Sequence, residues 1–454
     1  MLMDSLFLRN TVVRRLLAVG LCVVLVVSMR DRLFPTIRPA AGTSVASIST
    51  VGGKVETGEA TRKVHFLLPA THTNALFCKT LFSAVLNGYP SPTILNFDKK
   101  FETAEEARFM KLAATYTYLD TKVGDDDLVM LFDSYDTWFQ LPFEDLISRY
   151  YRMQEADLDR HLRAGKEAAA WQEVVIFAAD KSCWPNDPKS NACTKVPQST
   201  LPEKIYGPDT DHDERDYKVR PRWLNSGNII GPGKVFKQIY LRAYGIQQKS
   251  KARFSDQLIL SDIYGEQDLP ISLDYESYLF QTMTHSHNDV VYLMEEQREA
   301  PTAADEADLA KEPELVSRAF FRSPVPRYNS DRHMGWNRVS GYCPAVMHFN
   351  GNKDPLTTWW GQMWYIHNED PQTRLRNIKT VRRLGGAFLE DGSFVDWSHM
   401  CSKYDVYDAV PMPGAAGKVK MDESPSIDPV AYRLGVDPRK QPGDTIDELK
   451  AAGL

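Results

Sequence analysis

The chain has 454 residues, of which 43% are hydrophobic and 11% aromatic, so it can bury a core in one large domain or two ordinary ones. This composition excludes a wholly disordered protein. The net charge of −6 gives no reason to expect a polyanionic partner, which argues against nucleic-acid binding.

An apolar segment lies close to the N-terminus, where residues 12–29 read "VVRRLLAVGLCVVLVVSM". The apolar run is shorter than the ~20 residues of a usual spanning helix, but its arginines can reach the membrane surface. We predict a signal anchor, with residues 1–11 in the cytosol and the bulk of a type II protein in the lumen of the Golgi or ER. The alternative is a cleaved signal peptide and a secreted protein, although "RDR" at 30–32 replaces the small residues expected at a cleavage site.

Two segments that flank the predicted folded region are small, polar and interrupted by Gly and Pro. Residues 30–61 cannot bury enough apolar surface to become ordered, which predicts a flexible stem. Residues 411–454 have a similar composition and predict a partly disordered extension. Residues 297–315 are an acidic, Ala-rich insertion and not a linker, so we predict one folded domain over residues 62–410.

Five short apolar runs inside this domain have the length and composition of buried strands; they cover 64–70, 93–98, 128–133, 174–180 and 345–351. Between the first three runs, residues 75–88 and 103–119 carry apolar side chains at helical spacing. Strands that alternate with helices predict an α/β fold with a mostly parallel sheet covered by helices. Such sheets bind ligands at the carboxyl ends of their strands, where Asp133, Asp180 and His348 fall.

The third apolar run is followed by two carboxylates, Asp133 and Asp136, with Tyr135 between them. Two acids that leave a strand together repel each other unless a cation lies between them, and Mg²⁺ or Mn²⁺ bound by oxygen ligands is the usual solution. The alternative is a turn in which one acid caps the next helix and the other is solvated. The spacing alone does not decide between them.

His348 lies in the last apolar run, "AVMHFNG". A histidine on an apolar strand is more often a satisfied core residue than a metal ligand. If it is a ligand, a shell of one nitrogen and two carboxylates suits Mn²⁺ better than Mg²⁺. Gly351 then permits a close backbone approach, and Lys353 can neutralise a phosphate, which favours a binding site over a core histidine.

Two further stretches carry weaker signals. Residues 222–235 hold three glycines, but their spacing is not that of a dinucleotide fingerprint or a P-loop, and a tight turn is the alternative. Asp256 and Gln257 open an apolar helix, in which Ser255 or Asp256 can simply be the N-cap. Neither stretch indicates a site by itself.

The six cysteines include no Cys-x-x-Cys pair, which argues against a thiolate zinc site. Cys183 and Cys193 bracket a short loop. They form either a disulfide, which suits a secretory lumen, or two free thiols.

The order of these stretches is more specific than any one of them. The strand end "DSYD", followed by "FAADKSCWP", "LNSGNIIG", "SDQL", "SLDYESYLFQ" and "MHFNGNKDP", resembles the glycosyltransferase domain of collagen lysyl hydroxylases. It is similar also to the procollagen galactosyltransferases. The resemblance covers residues 62 to 365 and implies a GT-A fold, in which a Rossmann-like nucleotide-binding sheet is merged with an acceptor-binding part.

The resemblance also implies residues that bind Mn²⁺, for which Mg²⁺ is an alternative, and a UDP-sugar. Asp133, Asp136 and His348 match the family's metal ligands. Thr71 resembles the residue that contacts uridine, Tyr135 matches the aromatic residue that stacks on uracil, and Lys353 resembles the lysine that meets the diphosphate. Gly351, where the backbone can approach closely, is assigned to cofactor binding with them. Asn225, Gly227 and Asp256 match the donor-sugar region, and Trp184 matches a tryptophan near the reaction centre. Asp256, Gln257 and Trp184 are the predicted catalytic residues. Glycosyl transfer needs a leaving diphosphate whose charge is neutralised, which a divalent cation and a lysine provide.

The chain departs from the family in two places. Asp256 stands alone where the family has a run of aspartates, and Asn228 replaces a glycine; both changes leave the sugar and the acceptor open. The role of Asp256 is open as well, since it is either the base of an inverting enzyme or a support for the donor sugar in a retaining one. The dioxygenase part of lysyl hydroxylases is not recognisable, so hydroxylation is not implied.

We therefore predict a lumenal, metal-dependent glycosyltransferase that moves a hexose from a UDP-sugar to a hydroxyl of a protein or glycan acceptor. One alternative is a noncatalytic scaffold or chaperone of the same fold that binds nucleotide or glycan. The other is a metal-dependent phosphoester hydrolase. A complete set of three metal ligands favours an enzyme over the scaffold, and acceptor-dependent consumption of a UDP-sugar would exclude the hydrolase.

Overall fold

The computed structural model of the protein describes residues 49–51, 54–57, 60–212, 216–249, 255–293, 333–367 and 371–408. The predicted cytosolic tail and signal anchor, residues 1–29, lie outside the described residues, as do the insertion at 297–315 and the extension at 411–454. Among the residues that the structure describes, no helix is both long and apolar enough to cross a membrane. The anchor and the extension therefore stay predictions.

Strands and helices alternate along the described chain. In chain order the strands are β1 (Ser49–Val51), β2 (Lys54–Thr57), β3 (Ala60–Pro69), β4 (Thr93–Leu95), β5 (Leu128–Phe132), β6 (Thr137–Phe139), β7 (Val175–Asp180), β8 (Trp223–Pro232), β9 (Ile271–Asp274), β10 (Phe280–Thr282), β11 (Val290–Leu293), β12 (Met334–Asn337), β13 (Val346–His348), β14 (Gly386–Phe388) and β15 (Phe394–Asp396). The α-helices are α1 (Ala75–Leu86), α2 (Ala104–Lys122), α3 (Phe143–Arg163), α4 (Ala168–Trp171), α5 (Asn191–Thr194), α6 (Gly233–Lys249), α7 (Asp256–Gly265), α8 (Asp354–Trp359), α9 (Trp364–His367), α10 (Pro371–Leu384) and α11 (Trp397–Cys401). The two predicted helical segments correspond to α1 and α2.

A large mixed sheet forms the centre of the fold, in the order β15-β14-β4-β3-β5-β8-β7-β9. Parallel pairs join β14 to β4, β4 to β3, β3 to β5 and β7 to β9. The long strand β8 is antiparallel to β5 on one side and to β7 on the other. The prediction of a mostly parallel sheet covered by helices is confirmed, with β8 reversed at its centre.

The apolar run of β5 follows from its place in the middle of this sheet. Leu128, Met130 and Phe132 belong to the core on one face, and Val129 and Leu131 belong to the core on the other. Because successive side chains of a strand point to opposite faces, a strand covered on both sides is apolar throughout. Helices α1 and α3 contribute to the first core, and α2, α6 and α7 contribute to the second.

The predicted strand at 345–351 belongs to a different sheet from the one expected. β13 pairs with β10 and with β6 in a three-stranded sheet, in which His348 lies opposite Thr137. The apolar run indicated a buried strand correctly, but apolar content does not identify the strands that will pair with it. His348 thus approaches the edge of the large sheet from the small one.

Residues 222–235 contain the long strand β8, and α6 begins at Gly233 directly after it, so the chain passes from strand to helix within this stretch. The register of β8 against β7 shifts between Phe177 and Ala178, whose partners on β8 are Ile229 and Asn225. Residues 226–228 therefore form an irregularity in β8, and such bulges re-aim side chains next to functional sites. The "LNSG" block lies at this point.

The end of the predicted flexible stem differs from the expectation. β1 and β2 form an antiparallel pair, and β2 pairs with the start of β3. Gly52 and Gly53 stand between β1 and β2 in the sequence, which is a hairpin signal. Pairing with β3 gives the backbone of β2 hydrogen-bond partners, which the polar composition of residues 30–61 did not indicate. Residues 30–48 lie outside the described part of the chain, where the stem stays a prediction.

Two disulfides are present among the described residues. One joins Cys183 to Cys193, so the disulfide alternative for this pair is confirmed. The other joins Cys78 of α1 to Cys401 of α11 across 323 positions of sequence. No local pattern relates two cysteines so far apart, so this pair was not predicted. It ties the last described segment covalently to the first helix of the domain.

Lys79 of α1 is a buried cation beside this second disulfide. Its Nζ donates to the carbonyl oxygens of Val406 and Asp408 and lies over the Trp360 ring. Burial lowers the pKa of Lys79 from 10.5 to about 7, against the attraction of Asp408 and Asp405. The ammonium therefore loses its proton in the folded protein far more readily than in the unfolded chain.

We expect this lysine to make the protein more stable as the pH rises from 7 to 10. Below its folded pKa of about 7 the lysine is protonated in both states, so the cost of burying the ammonium is fully present. Above that pH the unfolded chain binds more protons than the folded one, and the free energy of unfolding rises with pH. Relative to Lys79→Met, which does not titrate, the wild type should gain about 3 kcal/mol over this range. Urea unfolding of both proteins measures the difference, and parallel pH profiles would contradict it.

Candidate active site

The chain passes from the large sheet to the small one between Asp133 and Asp136. β5 ends one residue before Asp133, and β6 begins one residue after Asp136. The Asp133 amide donates to the carbonyl oxygen of Gly227 at 2.7 Å, and the carbonyl oxygen of Asp136 accepts from the amide of Phe349 at 2.8 Å. Residues 133–136 connect the large sheet to the small one, which accounts for the spacing of the two acids. A backbone hydrogen bond holds each acid, with Gly227 of the large sheet for Asp133 and with Phe349, next to the small sheet, for Asp136.

His348 faces both carboxylates. Its Nε2 lies 3.6 Å from Asp133 Oδ2 and 3.6 Å from Asp136 Oδ1, and ligand atoms of the three residues lie within 4.8 Å of one another. This Nε2 is buried and has no hydrogen-bond partner among the described residues. Buried polar atoms normally have partners, so an imidazole nitrogen without one that faces two carboxylates fits a divalent cation between them.

The other ring nitrogen of His348 is held by Asn225. Nδ1 lies 3.2 Å from Asn225 Oδ1, which only accepts, so Nδ1 carries the proton and Nε2 keeps its lone pair. Asn225 Nδ2 donates to Asp180 at 2.8 Å, which fixes the orientation of the amide. Asn350 Nδ2 also donates to Asp180, whose pKa is raised by its burial against these hydrogen bonds. This chain of contacts presents Nε2 to the two carboxylates.

Gly227 leaves space for two of the predicted ligands, His348 and Asp133. A Cβ atom at this position would lie 2.1 Å from His348 Cε1 and 2.8 Å from Asp133 Oδ2. Only glycine allows the backbone of β8 to approach the ligands so closely. The amide of Gly227 donates to Asn225 Oδ1 at 2.9 Å, which connects the glycine to the same chain of contacts.

Two lysines partly neutralise the carboxylates. Lys353 Nζ lies 2.5 Å from Asp136 Oδ2, and Lys111 Nζ lies 2.6 Å from Asp133 Oδ1. Burial favours a higher pKa for Asp136, but Lys353 and His348 outweigh it and hold that pKa well below its usual range. The pKa of Asp133 is raised, because desolvation and repulsion by Asp136 outweigh the attraction of Lys111. Asp133 is also the most accessible ligand, with 35% of its side chain exposed against 16% for Asp136 and 3% for His348.

Lys111 is a site residue that the sequence analysis missed. It lies on α2, and its buried Nζ contacts both Asp133 and Asp256, the latter at 2.9 Å from Oδ2. Burial alone would lower the pKa of Lys111, but the two carboxylates outweigh that cost and raise it well above its usual range. The helical pattern gave no signal for it, because Lys111 adjoins Leu112 in sequence and neighbouring positions of a helix lie about 100° apart. A cation at a core-facing position requires a buried anion nearby.

The predicted reaction-centre residues meet beside this cluster. α7 begins at Asp256, and Ser255 stands at the N-cap position without a capping bond from its side chain. Gln257 Nε2 donates to the carbonyl oxygen of Trp184 at 2.6 Å, and Gln257 Oε1 accepts from the amide of Ser226 at 3.3 Å. Gln257 thus links the Trp184 backbone to β8, while the Trp184 side chain stays 44% exposed.

The two residues predicted to bind the uridine part, Thr71 and Tyr135, both contact His72. The Tyr135 hydroxyl donates to the carbonyl oxygen of His72 at 2.9 Å, and Thr71 Oγ1 lies 3.0 Å from His72 Nδ1. The rings of Tyr135 and His72 are 5.6 Å apart between centroids, with an interplanar angle of 34°. Since Tyr135 stands between the two acids, this loop adjoins the predicted metal ligands. His72 was not predicted.

A turn at Gly351 returns the chain toward Asp136. Gly351 has a φ of +70°, and a Cβ there would lie 2.6 Å from Thr284 Oγ1, so both the backbone and the space require glycine. Lys353 then donates to the carbonyl oxygen of Phe349 at 2.7 Å while it contacts Asp136. The structure thus brings the three predicted metal ligands and Lys353 together, and the roles assigned to individual residues stay predictions.

Comparison with known families identifies one match. A family model described as the PLOD GT domain matches residues 62–316, which is more than half of the chain. No curated protein matches the sequence. The matched range includes both aspartates but ends before His348 and Lys353, so the convergence of those two residues on the acids is an independent observation.

Proposed function

This chain belongs to the PLOD GT domain family and so carries a glycosyltransferase domain; from that premise we propose that it transfers a hexose from a UDP-sugar to a hydroxyl of a protein or glycan. The observation that supports the proposal is the convergence of Asp133, Asp136 and His348, whose Nε2 lacks a partner among the described residues. One nitrogen and two carboxylate ligands suit Mn²⁺ better than Mg²⁺. When bound, the cation would neutralise charge on the leaving diphosphate.

The protein side chains contribute positioning and charge. Asn225 holds the His348 ring with Nε2 toward the acids, and Lys353 Nζ, 2.5 Å from Asp136, is placed to stabilise an anion held at the cluster. The Tyr135 ring, tethered through His72, provides an aromatic face for a uracil base. These groups together orient a nucleoside diphosphate with its phosphates toward the acids.

We further propose that Asp256 orients the donor sugar instead of accepting a proton. Its Oδ2 is paired with the buried ammonium of Lys111 at 2.9 Å, so that oxygen is already engaged by a cation. A base must lie within hydrogen-bond reach of the proton that it takes and must be able to accept it. The same ammonium pairs with Asp133, which couples the position of Asp256 to that of the metal cluster.

A donor screen on the full chain tests the proposal. UDP release is measured from UDP-glucose, UDP-galactose, UDP-N-acetylglucosamine and UDP-glucuronic acid, with MnCl₂ or with EDTA, and with or without acceptor peptides and glycans. We expect one hexose donor to be consumed in a manner that depends on both Mn²⁺ and acceptor. Release of phosphate from simple phosphoesters without consumption of any UDP-sugar would favour a hydrolase instead.

We also propose that the domain works in the lumen of the secretory pathway. The disulfides Cys78–Cys401 and Cys183–Cys193 of its described part support this, because disulfides form and persist in oxidising compartments. Protection of the domain from protease in sealed microsomes, lost on addition of detergent, is the expected result. Digestion in sealed microsomes would place the domain in the cytosol.

A further inference from the structure

We infer that the last described segment, residues 401–408, holds the nucleotide-binding loop in position, with Tyr404 as the positioning residue. This segment is called the strap below, and residues 71–74 are called the donor loop. The inference rests on the proposed function, since it assigns the binding of UDP to Thr71 and Tyr135. The strap lies beyond the range matched by the family model, which ends at residue 316.

The strap is anchored at both of its ends. Cys401 is joined to Cys78 of α1 by the disulfide, and both cysteines are fully buried. Near the other end, the carbonyl oxygen of Val406 accepts from Lys79 Nζ at 3.1 Å and from Trp360 Nε1 at 2.7 Å. A segment fixed at two points has little freedom, so a side chain between them has a defined position.

Tyr404 lies between these anchors and reaches the donor loop. Its hydroxyl donates to the carbonyl oxygen of Thr73 at 2.9 Å, across 331 positions of sequence. Thr73 precedes Asn74, whose side chain caps α1 by accepting from the amide of Phe77 at 2.8 Å. The strap therefore contacts the donor loop immediately before the start of the helix to which the strap itself is linked.

Three successive carbonyl groups of the donor loop each accept one long-range hydrogen bond. The Thr71 oxygen accepts from the amide of Asp98 at 2.9 Å, and the His72 oxygen accepts from the Tyr135 hydroxyl at 2.9 Å. The Thr73 oxygen accepts from Tyr404. Loops keep a single conformation when their backbone groups are paired, so the strap supplies one of the long-range hydrogen bonds that hold the donor loop beside Tyr135.

Tyr404→Phe removes only the hydroxyl and tests the inference. Loss of one hydrogen bond should let the donor loop move, so we expect the Kd for UDP in MnCl₂ to rise about three- to ten-fold by calorimetry, with kcat at saturating donor unchanged. Hydrogen exchange of the His72 amide, which donates to the Tyr135 hydroxyl at 3.3 Å, should quicken by a similar factor when it is followed by mass spectrometry without ligand. The thermal midpoint should change little.

Tyr407→Phe is the matched control. It removes a hydroxyl from the same strap, but that hydroxyl donates to the carbonyl oxygen of Arg374 at 3.4 Å and not to the donor loop. We expect wild-type UDP affinity and wild-type exchange of the His72 amide in this variant.

The outcomes separate this inference from the proposed function. If the wild type binds UDP and Tyr404→Phe binds it equally well, the inference is overturned, whatever the exchange rates. An equal loss of affinity in Tyr407→Phe also overturns it, because the loss would then not depend on the hydrogen bond between Tyr404 and Thr73. If the wild type itself does not bind UDP in MnCl₂, the proposed function fails, and this inference fails with it.

Discussion

Replacing Asp136 by alanine is expected to lower UDP-sugar consumption at least a thousand-fold. The substitution removes a ligand of the cluster and leaves Lys353 and His348 Nε2 facing each other without the anion between them. Charge stabilisation by a bound cation is worth several kcal/mol in a transition state, and about 4 kcal/mol corresponds to this factor. UDP release at saturating Mn²⁺ measures the loss, and calorimetry should show much weaker Mn²⁺ binding.

Asp133→Ala should reduce activity as strongly but should also cost stability. Lys111 would keep Asp256 as its remaining carboxylate partner, and removal of one partner of a buried charge group is destabilising. Asp136→Ala is the cleaner test, because Lys353 is partly exposed and can be solvated.

Asp126→Ala is the matched control for both variants. Asp126 is an exposed acid that precedes the opposite end of β5 and is far from the carboxyl end where the site lies. It should keep wild-type activity and Mn²⁺ affinity. Activity of Asp136→Ala within ten-fold of the wild type would remove the metal assignment, and with it the mechanism proposed above.

Gly227→Ala is expected to lower both Mn²⁺ affinity and activity about a hundred-fold. The added Cβ would overlap the His348 ring at 2.1 Å and crowd Asp133 Oδ2 at 2.8 Å, so one ligand must move away. Insertion of a methyl group into a filled site also costs about 1–3 kcal/mol of stability. Calorimetry with MnCl₂, UDP release and urea unfolding together measure the three effects.

Gly245→Ala controls for the same chemical change where space is available. Gly245 lies within α6, and a Cβ there has no atom within 4 Å. Alanine favours a helix over glycine by about 1 kcal/mol, so this variant should be fully active and slightly more stable. Normal Mn²⁺ binding by Gly227→Ala would show that the ligands do not approach β8 as closely as described.

Local patterns in the sequence were sufficient to predict much of the central sheet. The apolar runs of β3, β5 and β7 and the periodicity of α1 and α2 follow from burial, which acts on each segment separately. Because chains of alternating strands and helices place strand ends at one edge, Asp133 and Asp136 were found from their positions alone. The resemblance to a known family then identified His348, which the residues alone left as either a core side chain or a ligand.

The partners of buried groups required the tertiary structure. Lys111 was missed because the spacing of apolar residues in α2 does not show that a lysine of this helix forms ion pairs with Asp133 and Asp256, which come from distant parts of the chain. The reversed strand β8, with its irregularity at the "LNSG" block, was unexpected for the same reason, since its neighbours β5 and β7 come from distant parts of the chain.

The sequence by itself thus determined the class of fold and the strand that carries the two acids, and it predicted a divalent cation between them. Only the tertiary structure decided that His348 belongs to a second sheet, that Cys78 pairs with Cys401 and that Tyr404 reaches the donor loop. The physical reason is the range of the interactions. Burial and backbone preference act over a few neighbouring residues, whereas a contact across 323 positions, as between those cysteines, depends on how the whole chain packs.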